Sequence, residues 1–201
     1  MRVANTEHTS KPWRIREVAH DFRLEDVWAL PGEGGPGDFR RLVEMIAAYD
    51  PADSSSAAAR TLFRIRWRIG ALLGWDDEKT GVGARVATLR DRLPVDLRNG
   101  QRGPAFESMP FTSLYLTDDE WAAESANGTM HGVLHIGRIP VDDGRFRAQM
   151  AVYVKPNGLL GNAYMAAIKP FRYVVVYPRL MRELAKRWDD ARSASGEGAA
   201  R

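Results

Sequence analysis

The C-terminal part of the chain carries its longest helical pattern. Between residues 155 and 188, apolar side chains recur at spacings that sum to whole helical turns. This apolar stripe consists of Leu160, Tyr164, Ile168, Phe171, Val175, Met181, Leu184 and Trp188. Pro170 and Pro178 interrupt it, and each of them removes a backbone hydrogen-bond donor. The pattern therefore predicts a long helix over 158–188 that is bent or broken at the two prolines.

The middle of the chain shows a two-residue period instead. From 146 to 154, apolar residues alternate with Arg147, Gln149 and Tyr153, which is typical of a strand with one apolar face. The same reasoning predicts further strands at 13–22, 111–117, 120–126 and 129–136. Because the last three strands are joined by short turns, we expect an antiparallel sheet.

Two helices are expected between the first strand and this sheet. Asp38 can cap a helix over 39–49, and a second amphipathic helix is predicted over 57–73, followed by a short one at 86–92. The glycine-rich stretch 29–38 must be a loop, either a plain connector or a mobile lid over a pocket. Strands and helices are thus segregated along the chain, which favours the α+β class.

Composition limits the kind of protein this can be. A chain of 201 residues with 44% hydrophobic residues can form one domain with a sizeable core. We expect a flexible N-terminus over 1–12, a single domain over 13–190, and a disordered polar tail over 191–201.

Charge and cysteine content exclude several functions. The net charge is only +3 and the arginines are interleaved with acids, so no nucleic-acid partner is expected. Cysteine is absent, which removes disulfides, thiolate nucleophiles and cysteine metal sites. Neither a secretory leader nor an apolar stretch of membrane-spanning length is visible. We therefore expect a soluble, cytoplasmic protein without a membrane partner.

Four stretches of the sequence resemble the bacterial domain of unknown function family 2867. They are 26–31 (DVWALP), 62–75 (LFRIRWRIGALLGW), 124–135 (ESANGTMHGVLH) and 153–188, which contains YVKPNGLLGNAYMAAIKPFRYVVVYP. The resemblance covers about 13–188. The order of elements also resembles the helix-grip fold of the START and polyketide-cyclase (SRPBCC) superfamily. The helix-grip resemblance implies a curved antiparallel sheet that grips a long C-terminal helix over a cavity. The resemblance to family 2867, whose relatives can be joined to a short-chain dehydrogenase-like domain, also implies a module that binds such a partner as a third, weaker possibility.

Candidate acid–base residues cluster around one predicted turn. Asn127-Gly128 is a strong signal for a two-residue hairpin, which would place Glu124 opposite His131, with His135 further along the same face. A carboxylate beside an imidazole can transfer protons if the pair lines a cavity. If it faces solvent, the pair is structural. No third ligand accompanies the histidines in sequence, so no metal site is expected.

The resemblance leaves two functions open. One is the binding of a small apolar or aromatic ligand, with contacts from Tyr115, Tyr153, Tyr164, Ile168 and Arg172. The alternative is a cofactor-independent cyclase, dehydratase or isomerase acting on a polyketide-like metabolite through the acid–base residues. No phosphate loop, nucleophile elbow or hydride-cofactor fingerprint is present in the sequence, so no cofactor is expected. Whether the protein is an enzyme depends on what lines the cavity.

Overall fold

One antiparallel sheet organises the molecule. A computed structural model of the chain describes residues 1–50 and 81–199. The sheet is curved and six-stranded, with the spatial order β1-β2-β6-β5-β4-β3. The strands are β1 (Arg2–Val3), β2 (Arg23–Ala29), β3 (Thr112–Leu116), β4 (Glu120–Ala126), β5 (Met130–Pro140) and β6 (Phe146–Pro156). Neighbouring strands all pair antiparallel.

The two faces of the sheet are covered by different parts of the chain. The face that we call the helix face packs against α3 (Asp38–Ala47) and the long C-terminal helix, through an apolar core that includes Phe39, Trp121 and Trp188. The other face, called the second face, packs against residues from 5–22 and 86–99. The short helices of that layer are α1 (Asn5–Thr9), α2 (Ile15–Val18), a 3-10 turn (Leu89–Arg92) and α4 (Val95–Asn99).

The segment 13–22, predicted as a strand, is instead part of the layer on the second face. Its buried residues Ile15, Val18, Ala19 and Phe22 are spaced by three and four, which is the period of a helix rather than a strand. The first long strand is instead β2, which follows this segment directly. It contains two buried acids, Glu25 and Asp26, and acidic residues have a low intrinsic propensity for strands, so the sequence does not mark it as one. The prediction of a strand over 13–22 was therefore wrong, because the buried residues there follow a helical period.

The predicted C-terminal helix forms without a break. It consists of α5 (Gly158–Phe171), a wider π-helical segment (Arg172–Val176) and α6 (Tyr177–Ala199). The π segment lies between Pro170 and Pro178, where missing N–H donors already interrupt the usual hydrogen-bond ladder. Helix α6 extends into the stretch predicted to be a disordered tail.

The apolar stripe predicted for the C-terminal helix is confirmed only in part. Ile168, Met181, Leu184 and Trp188 face the core as expected. Phe171, by contrast, is 52% exposed. Phe171 is the last residue of α5 and precedes the π segment, so its exposure belongs to α5, in which Gly161 and Met165 are the buried residues.

The turn between β4 and β5 also differs from its prediction. Ala126 pairs with His131, so the two turn residues are Gly128 and Thr129 rather than Asn127 and Gly128. The Asn127 side-chain oxygen accepts hydrogen bonds from the Thr129 N–H (2.9 Å) and the Met130 N–H (3.2 Å). This Asx-type closure does not need positive φ angles, whereas the predicted turn does.

Three other segments complete the comparison with the sequence. The N-terminal stretch 1–12, predicted to be flexible, forms β1 and α1 against the sheet. The loop 29–38 is a packed connector: Gly34 pairs with Phe146, and a Cβ added to Gly32 would lie 2.4 Å from the Trp188 ring. The predicted helix 57–73 lies outside the described residues.

The architecture is α+β, and its sheet and long C-terminal helix are consistent with a helix grip. Within the described ranges, no helix is both long and apolar enough to cross a bilayer.

Candidate functional site

A cavity of 310 Å³ lies between the sheet and the C-terminal helix. Its wall is largely apolar and comes from β5, β6, the end of α3 and the helix itself. The apolar lining includes Met130, Leu134, Met150, Val152, Val154, Met165, Ile168, Val176, Leu180 and Leu184. Ligand cavities in proteins commonly occupy about 300–1,000 Å³, so this one suits a small molecule.

A buried ion pair closes the cavity wall at the π segment. The Arg172 guanidinium donates to Asp26 Oδ2 at 2.8 Å and to the Tyr177 hydroxyl at 2.6 Å. Asp26 is fully buried on β2, and Trp28 Nε1 donates to its other oxygen at 3.2 Å. Burial raises the pKa of Asp26, an effect that the Arg172 charge opposes. Each group therefore holds the other in place at the wall.

Three of the five predicted ligand contacts line this cavity. They are Tyr164, Ile168 and Arg172, all on the C-terminal helix. Tyr115 and Tyr153 are instead buried in the core of the second face. A bulge between Ser113 and Tyr115 changes the alternation along β3, and Tyr153 points away from the cavity because its neighbours on β6, Val152 and Val154, point into it.

Glu124 and His131 are neighbours, as the sequence predicts, but through a different register. Glu124 pairs with Val133, and His131 reaches its Oε2 diagonally at 2.8 Å from Nε2. The pair lies on the second face, away from the helix–sheet cavity. It is buried, and His131 borders a separate pocket of 280 Å³ next to Arg85 and Lys155.

A second pair of the same kind lies four residues along the two strands. His135 Nε2 donates to Glu120 Oε2 at 3.1 Å, again along the diagonal. The Glu120 carboxylate also accepts from the Tyr115 hydroxyl at 3.0 Å and from the Arg14 backbone N–H at 2.8 Å. Burial alone would raise the pKa of Glu120, but these hydrogen bonds, that of His135 foremost, hold it below its usual value. Burial lowers the pKa of His135.

His8 completes the buried polar group on the second face. It is fully buried, and its Nδ1 and Nε2 lie 2.8 Å from Gln149 Oε1 and 2.9 Å from the Tyr153 hydroxyl. Because the amide oxygen can only accept, Nδ1 carries the proton and Tyr153 donates to Nε2. Burial lowers the pKa of His8 to about 4 and raises that of Tyr153 to about 12.

Both carboxylates of β4 also bind the ends of helical turns in the layer above. Glu120 accepts from backbone N–H groups at the start of α2, and Glu124 from the Thr88 hydroxyl and the Leu89 N–H at the start of the 3-10 turn. The first N–H groups of a helical turn have no partner within it. This arrangement anchors the covering layer to the sheet, which is a structural task.

Sequence reasoning missed Glu120 and His8. Glu120 had a usable signal, since it lies four residues before Glu124 on one strand, just as His131 and His135 are four apart on the next. Nothing in the polar stretch 1–12 marks His8 as buried. In the part of the chain that the structure describes, no group of three or more His, Asp or Glu side chains could hold a metal ion.

Comparison with known proteins assigns the chain to one family. No curated protein and no solved structure matches the chain significantly. One family model, described as "Protein of unknown function (DUF2867)", matches residues 18–179. The match begins at the last residue of α2, spans β2 to β6 and ends at the start of α6, so it includes most of the cavity wall. The chain belongs to the DUF2867 family.

Proposed function

We propose that this protein binds a small apolar molecule in the cavity between its sheet and its C-terminal helix. The observation that carries the proposal is the predominantly apolar lining of that 310 Å³ space. At about 30 Å³ of liquid volume per water-sized group, it has room for roughly ten non-hydrogen atoms. Transfer of such a molecule from water is favourable because its apolar surface leaves the solvent.

The residues that line the cavity favour a binding function over acid–base catalysis. Among the described residues, no aspartate, glutamate or histidine lines the cavity. Glu124, His131 and His135 lie on the opposite side of the sheet, where Glu124 accepts hydrogen bonds from the covering layer and the histidines bind Glu124 and Glu120. The cyclase, dehydratase or isomerase alternative therefore has no proton-transfer pair at this wall, and a carrier or sensor fits better.

The proposal also assigns the fold to the helix-grip type. In a helix grip, the sheet and the C-terminal helix form two walls of one ligand site, and Tyr164, Ile168 and Arg172 would then be helix-side contacts. The Asp26 ion pair would keep Arg172 in position whether or not a ligand is bound.

Titration with 1-naphthol at pH 7, followed by its fluorescence, tests the proposal with a neutral probe of suitable size. We expect saturable binding to the native protein. In Val152→Phe the added ring occupies the cavity, so affinity should decrease at least tenfold. Val174→Phe is the matched control, because Val174 is 75% exposed on the outside of the same helix.

Absence of 1-naphthol binding, or equal affinity in both phenylalanine variants, would overturn the proposal. Native mass spectrometry of the protein purified from its source cells would then show which molecule, if any, accompanies it.

A further inference from the structure

The charge of the cavity wall has one sign. Its lining residues include two charged side chains, Arg172 and Arg179, and no carboxylate of the described residues. A cleft with low-dielectric walls and charges of one sign concentrates ions of the opposite sign. Because Asp26 neutralises Arg172 from behind the wall, Arg179 is the lining residue that gives the wall its excess positive charge.

Arg172 already has partners for its guanidinium. Asp26, buried behind the wall, accepts from it at 2.8 Å, and the Tyr177 hydroxyl lies 2.6 Å from the same nitrogen. Only 13% of the Arg172 side chain is exposed. Removing Arg172 from this pair to bind a ligand would leave a buried carboxylate without its counter-ion, which is unfavourable.

Arg179 differs from Arg172 in this respect. It lies on α6 two residues after Tyr177 and is partly buried at the same cavity. Among the residues that the structure describes, no carboxylate lies within ion-pair distance of Arg179. A guanidinium presents parallel N–H groups that match the two oxygens of a carboxylate.

We infer that the ligand is an apolar carboxylic acid of roughly ten non-hydrogen atoms, whose carboxylate is bound by Arg179 while its apolar body fills the cavity. The inference rests on the proposed function and adds the chemical class of the ligand. Burying the hydrocarbon chain or ring supplies affinity, and the arginine selects the acid over a neutral compound of the same shape.

Calorimetric titrations with octanoate and 1-octanol test this inference, since the two probes share one chain and differ in charge. In the native protein at pH 7.5, octanoate should bind at least about tenfold more tightly than 1-octanol. Arg179→Gln should reduce octanoate affinity by about tenfold or more, and leave 1-octanol affinity unchanged. Arg182→Gln, which removes the same charge from an exposed position on the same helix, should affect neither probe.

The possible failures are distinguishable. If both probes bind equally to the native protein, the cavity is a neutral apolar site: the proposed function stands and the inference is wrong. Equal losses in Arg179→Gln and Arg182→Gln would show that only the overall charge of the helix matters, which also overturns the role of Arg179. If neither probe binds, the proposed function fails and the inference fails with it.

Discussion

The two faces of the sheet are buried by opposite means. On the helix face, apolar side chains pack around a cavity, and one ion pair, Asp26–Arg172, is enclosed with them. On the second face, Glu120, Glu124 and His8 are buried as well, but each is hydrogen-bonded to a group of the opposing layer. Directional bonds fix where a covering layer sits, whereas the hydrophobic effect has no preferred direction and fixes that position less strictly.

This difference between the two faces bears on the role of the buried Glu–His pairs, Glu124 with His131 and Glu120 with His135. A buried Glu–His pair looks like catalytic machinery in a sequence, yet here both such pairs anchor short helical turns. The second face thus carries the buried carboxylate–histidine pairs. The side with little chemistry holds the cavity, and the following four predictions test that contrast in order of decreasing effect.

Replacing Glu120 with leucine should be the most damaging change. The Tyr115 hydroxyl, His135 Nε2 and the Arg14 N–H would all lose their acceptor inside the protein. We expect a loss of about 3–5 kcal/mol in the free energy of unfolding, measured by urea denaturation. A loss below about 1 kcal/mol would mean that the carboxylate does not hold the layer.

Acid should weaken the second face through His8. Its pKa falls from 6.5 to about 4 on folding because of burial, so the unfolded chain binds a proton first as pH decreases. The stability that neutral His8 contributes is complete above pH 6.5 and is lost between pH 6.5 and 4, about 3 kcal/mol in total.

Urea melts at pH 7 and pH 4 measure this effect. His8→Gln should reduce the loss of stability between the two pH values, whereas His20→Gln, at an exposed position, should leave it unchanged. An undiminished loss in His8→Gln would assign the acid sensitivity to other groups.

Adjacent residues of β6 allow a direct comparison of packing on the two faces. Ala151 is fully buried in the second-face core, so Ala151→Leu should cost about 1–3 kcal/mol by overpacking. Val152 borders the cavity, so Val152→Phe should change the free energy of unfolding by less than about 1 kcal/mol. Thermal melts of the two variants would contradict this contrast if Val152→Phe proved the more destabilised.

The smallest effect is expected for Phe171→Ala. The stripe read from the sequence places Phe171 in the core, where its loss would cost about 3–5 kcal/mol. In the structure it is 52% exposed, so we expect less than about 1 kcal/mol in denaturant melts. A loss of about 3 kcal/mol or more would contradict the exposed position of Phe171 and place it in the core.

Local periodicity was enough to predict much of the fold. The alternation along 146–154, the strand at 120–126 and the long C-terminal helix all appear where the pattern indicates, because each signal lies within a few consecutive residues. The contact between Glu124 and His131 was also predicted, although the turn lies one residue further on and the two side chains meet along the diagonal.

The remaining features of the fold and of the candidate site depend on tertiary structure. Which side of the sheet carries the helix is not encoded in the alternation itself, so the sequence could not show that Glu124 and His131 face away from the cavity. The partners of His8, Gln149 and Tyr153, are separated from it by most of the chain and are brought close only by the pairing of β2 with β6. Local patterns determine the elements, whereas long-range packing determines which residues share a site, because side-chain contacts between distant segments leave no periodic signal.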